Sequence, residues 1–213
     1  MIKIVNVTKK FGENKVLDDV NLIFEPGKIY GIQGKNGSGK TMLMRAISGL
    51  LSLNEGEVEV FGEVIGKDRD FPKSAGILIE HPGLLPEISG FENLKTVMSI
   101  NKIISDEEIK KAMSNFDLDP NSNLKVKKYS LGMKQKVGIL MAILERPQVV
   151  ILDEPTNGLD EASVEKFKDM ILNLKDDSRV IIVASHDREG LEEISDEIIK
   201  MELGRVISWK RGT

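Results

Sequence analysis

Cysteine is absent from the 213-residue chain. This excludes a disulfide framework and any cysteine-based zinc site, and it suits a reducing compartment. No stretch approaches the roughly 18 consecutive apolar residues that a membrane helix needs. The N-terminal "MIKIVNVTKK" lacks a long apolar core, so no signal peptide is expected. A dominant charge is missing too. The net charge is −4, with 30 Lys/Arg and 34 Asp/Glu mixed along the chain, which argues against a general nucleic-acid surface. There is no repeat, linker or low-complexity segment. What remains is a chain that is 40% hydrophobic in many short runs, enough for the core of one large domain.

Those runs predict the order of elements. "IKIVNV", "VLDDVNLIF" and "EVEVFG" alternate as half-buried strands do, and Pro26-Gly27 turns the chain before "KIYGIQG". "AGILIE", "VVILD" and "RVIIVASH" are short continuous apolar runs, the pattern of strands covered on both faces. Helices are expected over "KTMLMRAISGL", "FENLKTVM", "EEIKKAMSNF", residues 131–145 and "ASVEKFKDMILNL". Ser89 with Glu92 and Ser105 with Glu108 have the spacing of capping boxes. "DEIIKMELGRVISW" is expected to be a hairpin turning at Gly204. The whole reads as an α/β fold: a mostly parallel sheet, an N-terminal antiparallel β layer, and an α-helical lobe inserted at about 85–145.

"GKNGSGKT", Gly34 to Thr41, follows a predicted strand and opens a predicted helix, the context a P-loop requires. Glycines let successive backbone N–H groups turn toward phosphate oxygens, and the helix N-terminus adds positive potential. Lys40 would reach the β- and γ-phosphates and the Thr41 hydroxyl would meet Mg²⁺. "VVILDEPTNGLD" places Asp153 at the C-terminal end of a buried strand, where open α/β sheets bind ligands. Asp153 would hold the Mg²⁺ shell and Glu154 would polarise an attacking water. His186 ends another strand aimed at the same crevice and would contact the γ-phosphate. No Asn-Lys-x-Asp stretch occurs, which argues against a guanine-specific GTPase.

"YSLGMKQK", Tyr129 to Lys136, puts a serine at the predicted N-cap of an apolar helix, another anion-binding helix end. Lying between the P-loop and "VVILDE", it resembles the LSGGQ signature of ABC ATPases. The resemblance runs from about Phe11 to Ile207 with five motifs in family order. It implies one ABC-type ATP-binding domain over residues 1–213, with ATP and Mg²⁺ as cofactors. It further implies that Phe11 stacks on adenine and that Gly34, Lys35, Asn36, Gly37, Ser38, Gly39, Lys40 and Thr41 hold the phosphates. Thr41 and Asp153 serve the metal, Glu154 is the catalytic glutamate and His186 the switch histidine. Asp160 would communicate across a dimer, in which Ser130 and Gly132 contact the ATP of the opposite subunit. Leu131 and Met133 depart from the signature, and a Cβ at Leu131 is expected to weaken that contact.

Glu80, in "ILIEHPGLLPE", falls where most ABC ATPases carry a glutamine that touches Mg²⁺ or the attacking water and follows the membrane partner. An acid there, followed by "HPGLLPEISGFENL", resembles the ABC-2 branch that exports lantibiotics and bacitracin. The resemblance implies an ATPase that pairs with a second ATPase subunit, identical or not. It would drive a separately encoded membrane permease from the cytoplasmic face of the cell membrane, without nucleic acid. Two other readings stand beside it: a soluble ABC ATPase of translation or chromosome maintenance, and a nucleotide sensor without turnover. The intact Glu154 argues against the last.

Overall fold

The computed structural model describes residues 1–211, so the last two residues of the expected domain lie outside the described part. The strands are β1 (Ile2–Phe11), β2 (Asn14–Phe24), β3 (Lys28–Gln33), β4 (Glu55–Val60), β5 (Glu63–Val64), β6 (Ala75–Leu78), β7 (Val149–Asp153), β8 (Val180–Ser185), β9 (Glu197–Glu202) and β10 (Arg205–Arg211). The helices are α1 (Lys40–Ile47), α2 (Gly90–Met98), α3 (Asp106–Asn115), α4 (Leu131–Ile143), α5 (Glu161–Leu174) and α6 (Arg188–Ile194).

Two sheets form. β2-β1-β4-β5 is antiparallel throughout, as the alternating sequence of this layer led one to expect. β10-β9-β3-β8-β7-β6 is parallel except for β10, which closes the edge as a hairpin through Gly204. The continuous apolar runs of β7 and β8 are explained by burial on both sides. Val149, Ile151, Val180 and Ile182 join the core shared with the antiparallel sheet and α1. Val150, Leu152, Ile181 and Val183 join a second core with the helices α2 to α6. Burying such a side chain fully is worth about 1.5–3 kcal/mol, so these alternating residues hold the three layers together.

Both capping boxes are present. Ser89 Oγ accepts from Glu92 N at 3.2 Å while Glu92 Oε2 accepts from Ser89 N at 2.8 Å. Ser105 and Glu108 do the same at 3.3 and 2.8 Å. Asn93, buried on α2, accepts from Leu85 N at 2.7 Å and donates to Leu85 O at 3.1 Å. That clamp fixes the segment leaving Glu80 against the helical lobe. Two elements were not expected from the sequence. β5 is only two residues long, and the seven-residue α6 is shorter than a periodic pattern can reveal. β6 also ends at Leu78, two residues before Glu80, whose φ of 61° turns the chain out of the strand.

Candidate functional site

The C-terminal ends of β3 and β7 open onto one cleft. Beyond β3 the 34–41 loop turns through Gly37 at φ 80° and Gly39 at φ 103°, left-handed angles that a side chain would strain. The loop ends as the N-terminus of α1. Lys40 folds back over it, 5% exposed, and donates from Nζ to Gly34 O at 2.7 Å. Thr41 Oγ1 donates to Asp153 Oδ2 at 2.6 Å, joining α1 to the end of β7. A cavity of about 790 Å³ opens here, lined by Phe11, residues 35–42, Glu80, Asp153, Glu154 and Asn157.

The two acids at the strand ends both adopt left-handed backbone angles, φ 61° at Glu80 and 46° at Glu154. Non-glycine residues held in this region cluster at functional sites. Glu154 is anchored by its N–H to Ala184 O at 2.8 Å. Its Oε2 accepts from Ser185 Oγ at 3.2 Å and lies 2.9 Å from His186 Nδ1. Its Oε1 is buried without a hydrogen-bond partner among the described residues, 3.6 Å from Lys40 Nζ. Asp153 is nearly fully buried, and that burial raises its carboxyl above the usual range. The Thr41 hydrogen bond and Lys40 pull in the opposite direction, while Glu154 and Glu80 add to the rise. Glu80 Oε1 takes an ion pair at 2.8 Å from Arg45, one turn beyond Thr41 on α1.

Of the remaining residues singled out in the sequence, only Phe11 lines the cavity. His186 reaches the cleft only through Glu154 and does not line the cavity. Ser130 caps α4, accepting from Met133 N at 3.1 Å, and is exposed outside the cleft. Gly132 faces the 154–160 loop so closely that a Cβ would lie 2.5 Å from Gly158 O. Leu131, with its side chain near Gly158 and 58% exposed, covers that loop within its own chain. Asp160 Oδ1 caps α5 by accepting from Ser163 N at 2.8 Å, and the bonds from Ser163 hold its carboxyl below the usual range. Phe11 stands 54% exposed at the cleft edge, with Lys9 Nζ 4.9 Å from its ring centroid.

Three contributors escaped the reading of the sequence. Gln135 Nε2 donates to Glu154 O at 3.2 Å and Pro155 O at 3.0 Å, tying α4 to the acid's backbone. Its only signal was a place one turn beyond Gly132. Ser185, at the end of β8, and Arg45, on α1, carry no local signal in the sequence.

A three-layer α/β fold with this loop, lysine and strand-end aspartate defines a P-loop nucleoside triphosphatase. The ABC transporter family profile matches residues 17–157. The chain belongs to that family, as an ATP-binding subunit and ATPase. It is 45% identical to the ABC transporter ATP-binding protein YybJ of Bacillus subtilis (strain 168), covering 97% of this chain and 94% of that one. It is 33% identical to the lantibiotic transport ATP-binding protein SrtF of Streptococcus pyogenes, covering 97% and 89%. Its fold superposes on the dimeric, post-hydrolysis ATP-binding cassette MJ0796 bound to ADP and Pi. The TM-score is 0.87 at 26% identity, covering 100% of this chain and 99% of that one.

Proposed function

We propose that this cleft binds and hydrolyses MgATP, and that two ATPase subunits close on ATP to drive a separate membrane permease that exports peptide antibiotics or drugs. The observation that carries this reading is the 3.6 Å approach of Lys40 Nζ to Glu154 Oε1, which has no hydrogen-bond partner among the described residues. It sets a phosphate-binding cation beside the carboxylate that would accept a proton from water. Ser185 and His186 occupy the other oxygen and so orient the acid. His186, held by Glu154, would have to turn into the cavity to contact the γ-phosphate. Phe11 offers an exposed ring to adenine at the other end of the cavity.

The residues fit Mg²⁺. Thr41 Oγ1 and Asp153 Oδ2 meet at 2.6 Å with Glu80 on the same cleft, a set of oxygens that suits an ion held by one or two carboxylates together with phosphates and water. Thr41, Asp153 and Glu80 would supply those oxygens. When bound, Mg²⁺ neutralises charge on the β- and γ-oxygens.

Ser130 and Gly132 lie outside the cavity, so a second copy placed head to tail would bring them to its nucleotide, with Asp160 at the shared boundary. The dimeric MJ0796 cassette supports pairing of two such subunits. The lantibiotic relative supports export. The described residues contain no helix long and apolar enough to cross a membrane. In this reading a permease holds residues 1–213, as one cassette with its helical lobe at about 85–145, to the cytoplasmic face of the membrane.

Two variants test the chemistry. Lys40→Ala should weaken ATP binding at least about tenfold, because it removes a charge-assisted contact to phosphate present in the ground state. Glu154→Gln should bind ATP normally yet lose about 10²–10⁴-fold in turnover, because the amide cannot accept the water's proton. Titration calorimetry and phosphate release measure the two. Normal binding by the first or normal turnover by the second overturns the assignment.

A further inference from the structure

Glu80 raises an electrostatic problem. It shares the cleft with Asp153 and Glu154, and a triphosphate would bring further negative charge. A glutamine at this position adds none. α1 supplies the answer on one face, since residues four apart on a helix project together. Thr41 binds Asp153, and one turn later Arg45 places its guanidinium 2.8 Å from Glu80 Oε1. The backbone of Glu80 is already set, by its left-handed φ and by the Asn93 clamp that follows it. Only its side chain is left to orient, and Arg45 is what it meets. The pair is too exposed to matter much for stability, with side chains 34% and 51% accessible.

We propose that Arg45 is the positioning residue for Glu80: it draws the carboxylate toward α1 and cancels its charge, so that the cleft admits a polyphosphate beside an acid. The inference rests on the reading of this cleft as the ATP site. Arg45 and Glu80 then act as one unit, and removing the arginine matters only while the acid is there.

A double-mutant cycle tests this, with ATP binding measured by calorimetry in EDTA so that metal plays no part. The proteins are the wild type, Arg45→Met, Glu80→Gln and the double variant; methionine keeps the aliphatic stem against α1. Arg45→Met alone should weaken ATP binding about three- to tenfold, whereas in the Glu80→Gln background the same change should cost less than about twofold. The loss should shrink in 0.5 M salt, because it is like-charge repulsion, and Arg45→Lys should recover most of it. An equal loss in both backgrounds, or no loss in either, overturns the proposal and leaves the ATP site standing. A wild-type chain that binds ATP neither in EDTA nor with Mg²⁺ overturns both.

Discussion

Asp153 is buried at the end of β7 with one hydrogen bond from Thr41, and desolvation raises its carboxyl above the ordinary value. Folding therefore favours the protonated form. Its contribution to stability is present at acid pH and is lost as pH rises through the raised value. At neutral pH the nucleotide-free protein carries a desolvated charge that the metal brought with ATP would relieve. Asp153→Asn, whose amide oxygen can still accept from Thr41, should melt at a higher temperature than the wild type at pH 7.5. That advantage should narrow toward pH 4, and hydrolysis should be lost. Thermal melts at the two pH values check this, and a lower melting temperature at pH 7.5 contradicts it.

At the scale of elements, the readable parts were those with a strong local cause. The capping serines, the Gly204 turn and the glycine-rich loop each show their chemistry within a few residues. The continuous runs of β7 and β8 announced burial on two faces. α6 stayed hidden because seven residues with two buried positions, Leu191 and Ile194, make no periodic pattern. Gln135, Ser185 and Arg45 were unreadable for another reason. Their partners lie 19, 31 and 35 residues away in sequence and meet them only through the packing of α4 on β7, the pairing of β8 with β7 and the approach of α1 to the end of β6. The close contact of α4 with the 154–160 loop is of the same kind and can be tested. Gly132→Ala would put a Cβ 2.5 Å from Gly158 O, so one backbone must move. We expect a loss of roughly 1–3 kcal/mol in urea unfolding. Hydrolysis should fall more than ATP binding, because Glu154 shares that loop. Unchanged unfolding and turnover would show that the gap closes freely.

For the molecule as a whole, the proposed reading gives the cleft one set of nucleotide contacts and α4 another on the outside. Ser130→Arg should leave calorimetric ATP binding within about twofold while blocking ATP-induced dimers, since a bulky cation would stand where the partner's phosphate docks. Size exclusion of the Glu154→Gln protein with and without that change, in ATP, is the measurement. The lost N-cap should also lower stability by about 1 kcal/mol. A normal ATP-dependent dimer would count against the head-to-tail arrangement.

The phosphate loop leans on distant parts of the chain. β3 pairs with β8 on one side and β9 on the other. Gly204 N donates to Ser38 O at 2.9 Å, and Gly204 O accepts from Asp18 N at 3.0 Å. A ribosome finishes residues 34–41 long before it reaches 180–204. During that interval the nascent loop has its glycines and its lysine but neither flanking strand nor the turn that backs it. Such non-local pairing makes folding slow and keeps apolar strand edges uncovered. Nucleotide can therefore stabilise β3 and its loop only after residues 180–204 have been made and have docked.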